Sequence, residues 1–367
     1  HSISFPYVVR TVQYQILQGK KMSTLLSNIH SILVNNVETS RRINEYTFSR
    51  EDKHHFCAKS CLMRSKPDDY HSTVETLNSR GRRPRKALGQ HYMLNSKINK
   101  QLSSAVHVEE GDIVLEIGPG TGSLTQALMN KGATVLAIEK DPIMASIVSE
   151  RFAETGRFKV ILEDFVRCNI PLQMQTLLSS SGRSRKAKVV SNIPFNITTE
   201  VIKQLLPMGD IFSDVALLVQ EETALRLVES SPRSSEYRPI NVFVNFYSQP
   251  KYLFHVPKSN FFPQPTVDAA VMSFKLKQPG DYPSVNSTKS FFSMVNSAFN
   301  GKRKMLRKSL QHLCTPTQIE EALNILGLPP TSRPEELTMD NFVNLHNTLT
   351  KVYPTLNFEN PYIIINN

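Results

Sequence analysis

Apolar runs of strand length alternate with stretches of helical spacing between about Asp112 and Glu229. This rhythm predicts β-α-β units, in which crossover helices join parallel strands into an α/β fold. The predicted strands are Ile113–Ile117, Thr134–Ile138, Phe158–Leu162, Ala187–Val190 and Val215–Val219. A glycine turn and a helix over Leu124–Met129 follow the first strand. We expect a doubly wound, Rossmann-like sheet.

The pattern changes in the last third of the chain. Tyr252–Val256 and Val267–Leu276 flank a proline-rich loop, which predicts an antiparallel edge to the sheet. Residues 278–283 break the pattern with prolines and a glycine. Beyond them, Pro316 and Pro334 suit the first turns of helices. The predicted helices are Phe291–Leu310, Pro316–Leu326 and Pro334–Lys351, which form a small C-terminal helical domain.

The N-terminal stretch from Met22 to about Asn78 has no sustained helical or strand period. Polar residues with scattered basic ones are typical of a removable organelle-targeting segment, and a disordered tail is the alternative. The residues after Lys21 lack the arginine-rich amphipathic helix of mitochondrial leaders, which favours a plastid. We expect a leader over residues 1–79, an α/β domain over 80–277, a helical domain over 278–354 and a tail over 355–367.

Charge narrows the classes of partner. The 367 residues include 43 Lys and Arg against 32 Asp and Glu, a formal net charge of +11. Such a field attracts polyanions, so nucleic acid is favoured over an anionic membrane surface. The cysteines Cys57, Cys61, Cys168 and Cys314 form no CxxC pair, which indicates reduced thiols rather than a zinc ribbon or disulfide framework. No apolar run approaches the roughly 18 residues of a membrane span.

The glycine turn predicts a nucleoside cofactor. Gly118, Gly120 and Gly122 follow the first strand, where glycine permits a tight turn and a close approach of the backbone to a ligand. Glu139 lies 21 residues after Gly118, at the end of the second strand, where a carboxylate can accept both ribose hydroxyls. This combination serves NAD, FAD and S-adenosylmethionine alike.

Two carboxylates favour S-adenosylmethionine. Glu116 precedes the first glycine by two residues and can orient the methionine ammonium, while the glycine spacing differs from the pyrophosphate fingerprint G-x-G-x-x-G. Asp164 follows the third strand and can accept from an adenine amino group. The alternative for Glu139 and Asp164 is that they are solvated acids at strand ends.

Asn192-Ile193-Pro194-Phe195 is suited to an exocyclic amine on a flat base. Such an amine is a poor nucleophile, and acceptors on its hydrogens favour a pyramidal nitrogen with an available lone pair. The Asn192 side-chain oxygen can be one acceptor and a backbone carbonyl the other. Pro194 stiffens the turn, and Phe195 offers a face for base stacking. The alternative is an ordinary strand-exit turn with Phe195 in the core.

A base in a duplex or stacked loop cannot reach such a pocket, so the target must be extruded or unpaired. Phe261 and Phe262, held between prolines, are candidates for an opposing aromatic wall and RNA contact; for either ring alone, core packing is the alternative. Two basic clusters bracket the α/β domain and can neutralise phosphates. They are Arg80, Arg82, Arg83, Arg85 and Lys86, and Lys302, Arg303, Lys304, Arg307 and Lys308 on a predicted C-terminal helix.

From about Arg85 to Thr350 the chain resembles the ribosomal RNA adenine N6,N6-dimethyltransferases. The shared motifs are Lys86 to Asn95, Glu116 to Gly122, Ala137 to Asp141, Glu163 to Phe165, Ser191 to Asn196 and Phe261 to Asp268. The resemblance implies a class I methyltransferase fold that binds S-adenosylmethionine, needs no metal and dimethylates two adjacent adenosines near the 3′ end of small-subunit rRNA. A monomeric chloroplast enzyme acting on the pre-ribosomal small subunit is expected, with the mitochondrion as the alternative address.

The resemblance also implies residue roles. Positions matching His91, Met93, Gly118, Glu139, Asp164 and Asn192 contact S-adenosylmethionine or lie beside the reacting nitrogen in that family. Many members have Asn-Phe-Leu where this chain has His91-Tyr92-Met93, so Leu94 is a second candidate for the leucine role. Phe195 replaces a frequent tyrosine, and Thr266 stands where a lysine is common.

Two other functions fit parts of the pattern. DNA amino-methyltransferases share the acceptor chemistry, but their motif usually begins Asn/Asp-Pro-Pro-Tyr and they carry a target-recognition domain. A non-catalytic transcription or ribosome-assembly factor on the same fold would be marked by loss of Glu139, Asp164 or Asn192. All three residues are present.

Overall fold

The computed structural model describes residues 75, 77–79, 81, 83–85, 89–180, 186–301 and 303–354. All of them belong to one compact unit. The predicted tail over residues 355–367 and nearly all of the predicted leader lie outside the described residues. So do Cys57, Cys61, Arg80, Arg82, Lys86 and Lys302.

Nine strands and eleven α-helices are described in these ranges. The strands are β1 Tyr92–Met93, β2 Ile113–Ile117, β3 Thr134–Glu139, β4 Phe158–Leu162, β5 Ala187–Asn192, β6 Phe212–Gln220, β7 Ser248–Val256, β8 Phe261–Phe262 and β9 Ala269–Leu276. The helices are α1 Ser96–Ser104, α2 Ser123–Asn130, α3 Pro142–Phe152, α4 Ile170–Ser180, α5 Thr198–Leu205, α6 Glu221–Val228, α7 Pro239–Tyr247, α8 Thr288–Phe299, α9 Leu306–Ser309, α10 Pro316–Ile325 and α11 Met339–Val352.

The main sheet has seven strands in the order β4-β3-β2-β5-β6-β9-β7. The first five are parallel, and β9 is antiparallel to both β6 and β7. The doubly wound topology and the antiparallel edge are therefore confirmed. The winding reverses between β2 and β5, which is where open α/β sheets form their ligand crevice.

Strand β2 shows why the sheet needs helices on both faces. All five of its residues are buried. Leu115 packs in one apolar cluster with residues of α5, while Val114 packs in another with residues of α2, because successive side chains in a strand point to opposite faces. Continuous apolar runs of this kind are typical of central parallel strands.

A second, two-stranded sheet joins distant parts of the chain. Tyr92 pairs with Phe262 and Met93 with Phe261 in antiparallel register. The Leu94 N–H also donates to the Asn260 carbonyl at 2.8 Å. The Gly-Gln motif before β1 is thus held against the proline-rich loop after β8.

The C-terminal helices share one hydrophobic core with the sheet. Phe291 of α8 lies 5.3 Å from Phe246 of α7, ring centroid to centroid. Both belong to the cluster that contains Leu115 of β2. The apolar packing therefore continues across residue 278. The domain boundary expected there stays a prediction.

Two helix boundaries differ from the prediction. The single helix expected over Phe291–Leu310 ends at Phe299, and a turn closed by Lys304 N–H donating to Gly301 carbonyl at 2.8 Å separates it from α9. Glycine disfavours a helix interior, which explains the break. Pro334 begins a 3₁₀ turn rather than α11, whose start is fixed by reciprocal hydrogen bonds between Thr338 and Asn341.

Among the residues that the structure describes, every helix is too short or too polar to span a bilayer. Cys168 and Cys314 are free and buried. Burial raises the pKa of Cys168 to about 12 and that of Cys314 to about 11, so both stay protonated at neutral pH.

Candidate functional site

A cavity of about 380 Å³ lies at the carboxyl edge of the parallel strands. Its walls come from the ends of β2, β3, β4 and β5 and from the segment 89–93. Most of the predicted catalytic and cofactor-binding residues line it, namely His91, Met93, Glu116, Gly118, Gly120, Glu139, Asp164, Asn192, Pro194 and Phe195. Cofactor and acceptor groups that are far apart in the chain thus share one cavity.

The glycine turn after β2 has the backbone that only glycine adopts freely. Gly118, Gly120 and Gly122 have φ values of +66°, +55° and +85°. A Cβ on Gly122 would lie 2.7 Å from the Phe152 ring. Helix α2 begins directly after this turn, and its N-cap Gly122 makes no side-chain capping bond. The turn therefore brings the backbone of Gly118 and Gly120 into the cavity wall, next to the N-terminus of α2.

Glu116 is a buried carboxyl group in the cavity wall. Its exposed fraction is 1%, and its Oε2 accepts from the Thr125 hydroxyl at 2.6 Å. Burial, aided by the nearby charge of Glu139, raises its pKa to about 8. At neutral pH the side chain is mostly protonated, and a cation beside it would favour ionisation.

Glu139 and Asp164 lie at the ends of adjacent strands, and their pKa values shift in opposite directions. Glu139 accepts from the Asp141 N–H at 2.8 Å and the Gly120 N–H at 3.4 Å, yet its burial raises its pKa. Asp164 lies 2.7 Å from the Lys140 ammonium, which lowers its pKa. Asp164 also accepts from the Val166 N–H at 3.1 Å. Both keep lone pairs that can accept from a ligand.

Asn192 is oriented by the segment 89–93. Its Nδ2 donates to the His91 carbonyl at 3.3 Å, which leaves its Oδ1 as the acceptor toward a ligand. The His91 ring Nδ1 lies 2.7 Å from the Pro263 carbonyl. Because a carbonyl oxygen only accepts, Nδ1 carries the proton. A chain of bonds thus connects the acceptor turn to the proline-rich loop.

Phe195 and Phe261 have different positions. Phe195 is half-buried, lines the cavity and stacks on His91 at 5.9 Å between centroids with 24° between planes. Phe261 is only 3% exposed and packs edge-on to Phe195 at 6.5 Å. The structure places this ring in the core, and the RNA contact predicted for Phe261 stays a prediction. Phe261 supports Phe195 from the core.

Leu94 lies outside the cavity lining, whereas Met93 belongs to it. The side chain of Met93 is 4% exposed and packs in the cluster that also holds Leu124. Between the two candidates for the family leucine, the geometry therefore favours Met93.

The basic residues are arranged differently from the expected helix. Arg303 and Lys304 lie in the turn before α9, and Arg303 has a φ of +66°. Arg307 is partly buried and paired with Glu320 at 2.5 Å, while Lys308 is exposed. Arg85 is exposed, and its backbone N–H donates to the Gln90 side chain at 2.9 Å. Where the family lysine is replaced by Thr266, the Lys258 ammonium donates to its carbonyl at 3.2 Å.

Three further lining residues were not predicted as site residues. Lys140 holds Asp164. Gly89 has a φ of +62°, and a Cβ there would lie 2.9 Å from Asn196 Oδ1 and 3.3 Å from Pro194 Cβ. Asn99 interrupts the apolar stripe of α1 with a buried polar group, a signal that is visible in the sequence.

One described group has side chains of metal-ligand type, namely Glu221, His255 and Asp268. His255 Nδ1 lies 2.9 Å from Glu221, and its Nε2 lies 3.7 Å from Asp268. The carboxylates thus lie beside opposite ring nitrogens, so that His255 forms a bridge between them. The bridge fastens the loop before β9 to the start of α6, and the expectation of no metal stays a prediction.

Glu116 should make the stability of the protein depend on pH. Between its exposed pKa of 4.5 and its folded pKa of about 8, the folded state holds a proton that the unfolded state has released. The free energy of unfolding therefore falls as pH rises through this window. Glu116→Gln cannot ionise, so we expect it to exceed the parent in stability at pH 8, with about 1.4 kcal/mol for each unit of pKa shift as the upper limit.

Urea unfolding of both proteins at pH 5 and pH 8 measures this difference. Glu154→Gln, at an exposed carboxylate, is the matched control and should follow the parent at both values. Equal stability of Glu116→Gln and the parent at pH 8 would show that the carboxyl group is not penalised by burial.

Comparison with known proteins identifies the family. The family model described as ribosomal RNA adenine dimethylase matches residues 81–351. A chloroplastic ribosomal RNA small subunit methyltransferase of Arabidopsis thaliana is 67% identical over 292 residues, covering 78% of this chain and 85% of that protein. Ribosomal RNA small subunit methyltransferase A of Protochlamydia amoebophila is 36% identical over 273 residues, covering 74% of this chain and 94% of its own.

Solved structures agree on the fold. A dimethyladenosine transferase from Plasmodium falciparum has a TM-score of 0.55 at 22% identity, covering 69% of this chain and 95% of that chain. The 23S rRNA methyltransferase ErmE has a TM-score of 0.53 at 20% identity, covering 70% and 99% respectively. The predicted class I methyltransferase fold and the resemblance in the sequence are confirmed. The chain belongs to the ribosomal RNA adenine dimethylase family, and it is an rRNA adenine dimethyltransferase.

Proposed function

We propose that this protein transfers methyl groups from S-adenosylmethionine to N6 of two adjacent adenosines near the 3′ end of chloroplast small-subunit rRNA. The observation that carries the proposal is the position of Asn192, whose Oδ1 is left as an acceptor in the same cavity as the glycine turn, Glu139 and Asp164. A non-catalytic factor has no need to keep these groups together.

The lining residues fit S-adenosylmethionine. Asp164 would accept from the adenine amino group, Glu139 from the ribose hydroxyls, and the backbone at Gly118 and Gly120 would approach the sugar and methionine closely. Glu116 would gain its charge beside the methionine ammonium. When bound, the cofactor supplies an electrophilic methyl group; each transfer replaces one N6–H by N–CH₃ and releases a proton.

The acceptor turn would orient the base rather than deprotonate it. Asn192 Oδ1 accepts one amino hydrogen, and a carbonyl of the turn accepts the other, so the nitrogen lone pair is freed from the ring. Phe195 stacks on the base and is itself braced by His91 and Phe261. No side chain has to act as a strong base. The nitrogen becomes positively charged when it gains the methyl group, and it then releases a proton readily.

The substrate must bring an unpaired adenosine into the cavity. A base in a helix would have to be extruded, as in other enzymes that act on nucleobases. Because each adenosine takes two methyl groups, the cavity must readmit an N6-methylated base. Asn192 has one hydrogen left to accept in the second transfer.

The charge of the protein and its similarity to the Arabidopsis relative support rRNA as the substrate and the chloroplast as the compartment. The net charge of +11 and the exposed Arg85, Arg303, Lys304 and Lys308 suit phosphate contacts made by a monomer on the pre-ribosomal small subunit. Phosphate contacts by Lys86 and Lys302 belong to the same proposal. The Arabidopsis relative is named for the chloroplast and for small-subunit rRNA, which favours the plastid over the mitochondrion.

Mass spectrometry of small-subunit rRNA tests the function directly. In plants lacking the protein, chloroplast rRNA should lose dimethyladenosine at both sites, and the wild-type gene should restore it. Mitochondrial rRNA from the same plants is the internal control and should keep its modification. Unchanged dimethyladenosine in chloroplast rRNA would refute the proposal. Loss of dimethyladenosine from mitochondrial rRNA alone would assign the enzyme to the mitochondrion.

Asn192→Ala should lower methyl transfer by about 100-fold or more, the effect of removing one well-placed group from a transition state. Binding of S-adenosylhomocysteine should change little, because the side chain acts on the base. Methyl transfer to an undermodified small subunit and calorimetric titration measure the two effects. Asn130→Ala, at an exposed residue of α2, is the control. Equal loss of binding and transfer would assign Asn192 to the cofactor instead.

Gly89→Ala should lower methyl transfer by pushing the acceptor turn out of place. The new Cβ would lie 2.9 Å from Asn196 and 3.3 Å from Pro194. Gly156→Ala is the matched control, since Gly156 has a φ of +61° but nothing within 4 Å of its Cβ position. Both variants should lose about 1–2 kcal/mol of stability from the left-handed backbone, yet only Gly89→Ala should lose activity. Equal activities would show that the contact with the turn is unimportant.

A further inference from the structure

Asn99 is a buried polar residue with no role in the function proposed above. It lies on α1, its exposed fraction is 2%, and it is one of the residues that line the cavity. Neither its Oδ1 nor its Nδ2 has a hydrogen-bond partner among the described residues. Buried amides in native proteins nearly always have partners, so an unpaired one in a cavity wall is expected to bond to water or to a ligand.

The position of α1 shows which part of the ligand Asn99 faces. Helix α1 packs on α2 and contacts β5 and β6. The nucleoside carboxylates Glu139 and Asp164 follow β3 and β4, on the other side of β2 in the strand order. A cofactor whose adenine lies at Asp164 therefore has its amino-acid end toward Asn99.

Among the described residues that line the cavity, no Lys or Arg lies at that end. The Lys and Arg side chains of the lining are Lys140 and Arg167, which follow β3 and β4 at the nucleoside end. Glu116 suits the ammonium of the amino acid, but it repels a carboxylate when ionised. The described lining therefore offers a carboxylate neutral donors, and the amide of Asn99 is a side-chain donor without a partner among the described residues.

We propose that Asn99 binds the amino-acid end of S-adenosylmethionine, with its Nδ2 donating to the cofactor carboxylate. The inference rests on the proposed function, because it requires that cofactor. Together, Asn99 and Glu116 give this end of the cavity one group for each charge of the zwitterion. Binding would thereby give the Asn99 amide a hydrogen-bond partner that the described residues do not supply.

Calorimetric titration with two probes tests the assignment. S-adenosylhomocysteine has the amino-acid end, and 5′-methylthioadenosine lacks it. Asn99→Leu should weaken S-adenosylhomocysteine by about 10- to 100-fold, the range for a hydrogen bond to a charged group, and leave 5′-methylthioadenosine unchanged. Without ligand, the variant should melt at a higher temperature than the parent, because an unpaired buried amide is replaced by an apolar group of similar size.

Matched variants separate the outcomes. Ser103→Ala alters another buried residue of α1, whose hydroxyl donates to the Lys100 carbonyl at 2.9 Å, and should bind both probes as the parent does. Glu139→Gln should weaken both probes, because it acts on the ribose. Asn99→Ala should also weaken S-adenosylhomocysteine and leave 5′-methylthioadenosine unchanged. This smaller side chain checks that the effect of leucine is not due to its shape.

Two results would decide against the assignment, and a third would decide against the proposed function. Parent-like binding of S-adenosylhomocysteine by both Asn99 variants would overturn it, and so would an equal loss for both probes. A parent protein that binds neither probe would refute the proposed cofactor itself, which is a separate failure of the proposed function.

Discussion

The reversal of winding between β2 and β5 is the constraint on which the site depends. Parallel strands end at one edge of a sheet, and at the reversal their loops diverge to leave a crevice. Here the edge collects the glycine turn after β2, Glu139 at the end of β3, Asp164 after β4 and Asn192 at the end of β5.

A second layer of order comes from the small sheet of β1 and β8. It holds segment 89–93 against the proline-rich loop, so that His91 bonds both Asn192 and Pro263. Gly89 then lies close to Pro194 and Asn196 on the acceptor turn. Asn192 is thus held in place through His91, which is 101 positions away from it in the chain. His91 is in turn held by Pro263, which is 172 positions further along than His91. Such support allows a site to act by orientation without a strong base.

Two groups of the cavity wall also lower the stability of the fold. Glu116 is a buried carboxyl group whose pKa rises to about 8, and Asn99 is a buried amide without a partner among the described residues. Replacing either by a neutral or apolar group should stabilise the fold while harming the site. This trade-off is common where binding groups must be held ready in a dry pocket.

The sequence by itself determined the strands of the main sheet, the glycine turn and the acceptor motif, because these depend on local periodicity and on residues with special backbone freedom. It did not determine the break after Phe299, the burial of Phe261 or the pairing of Arg307 with Glu320. Nor did it assign Gly89, Lys140 or Asn99 to the cavity. Each of these depends on which residues distant in the chain become neighbours, and only the tertiary structure decides that, since packing and desolvation act between segments rather than along them.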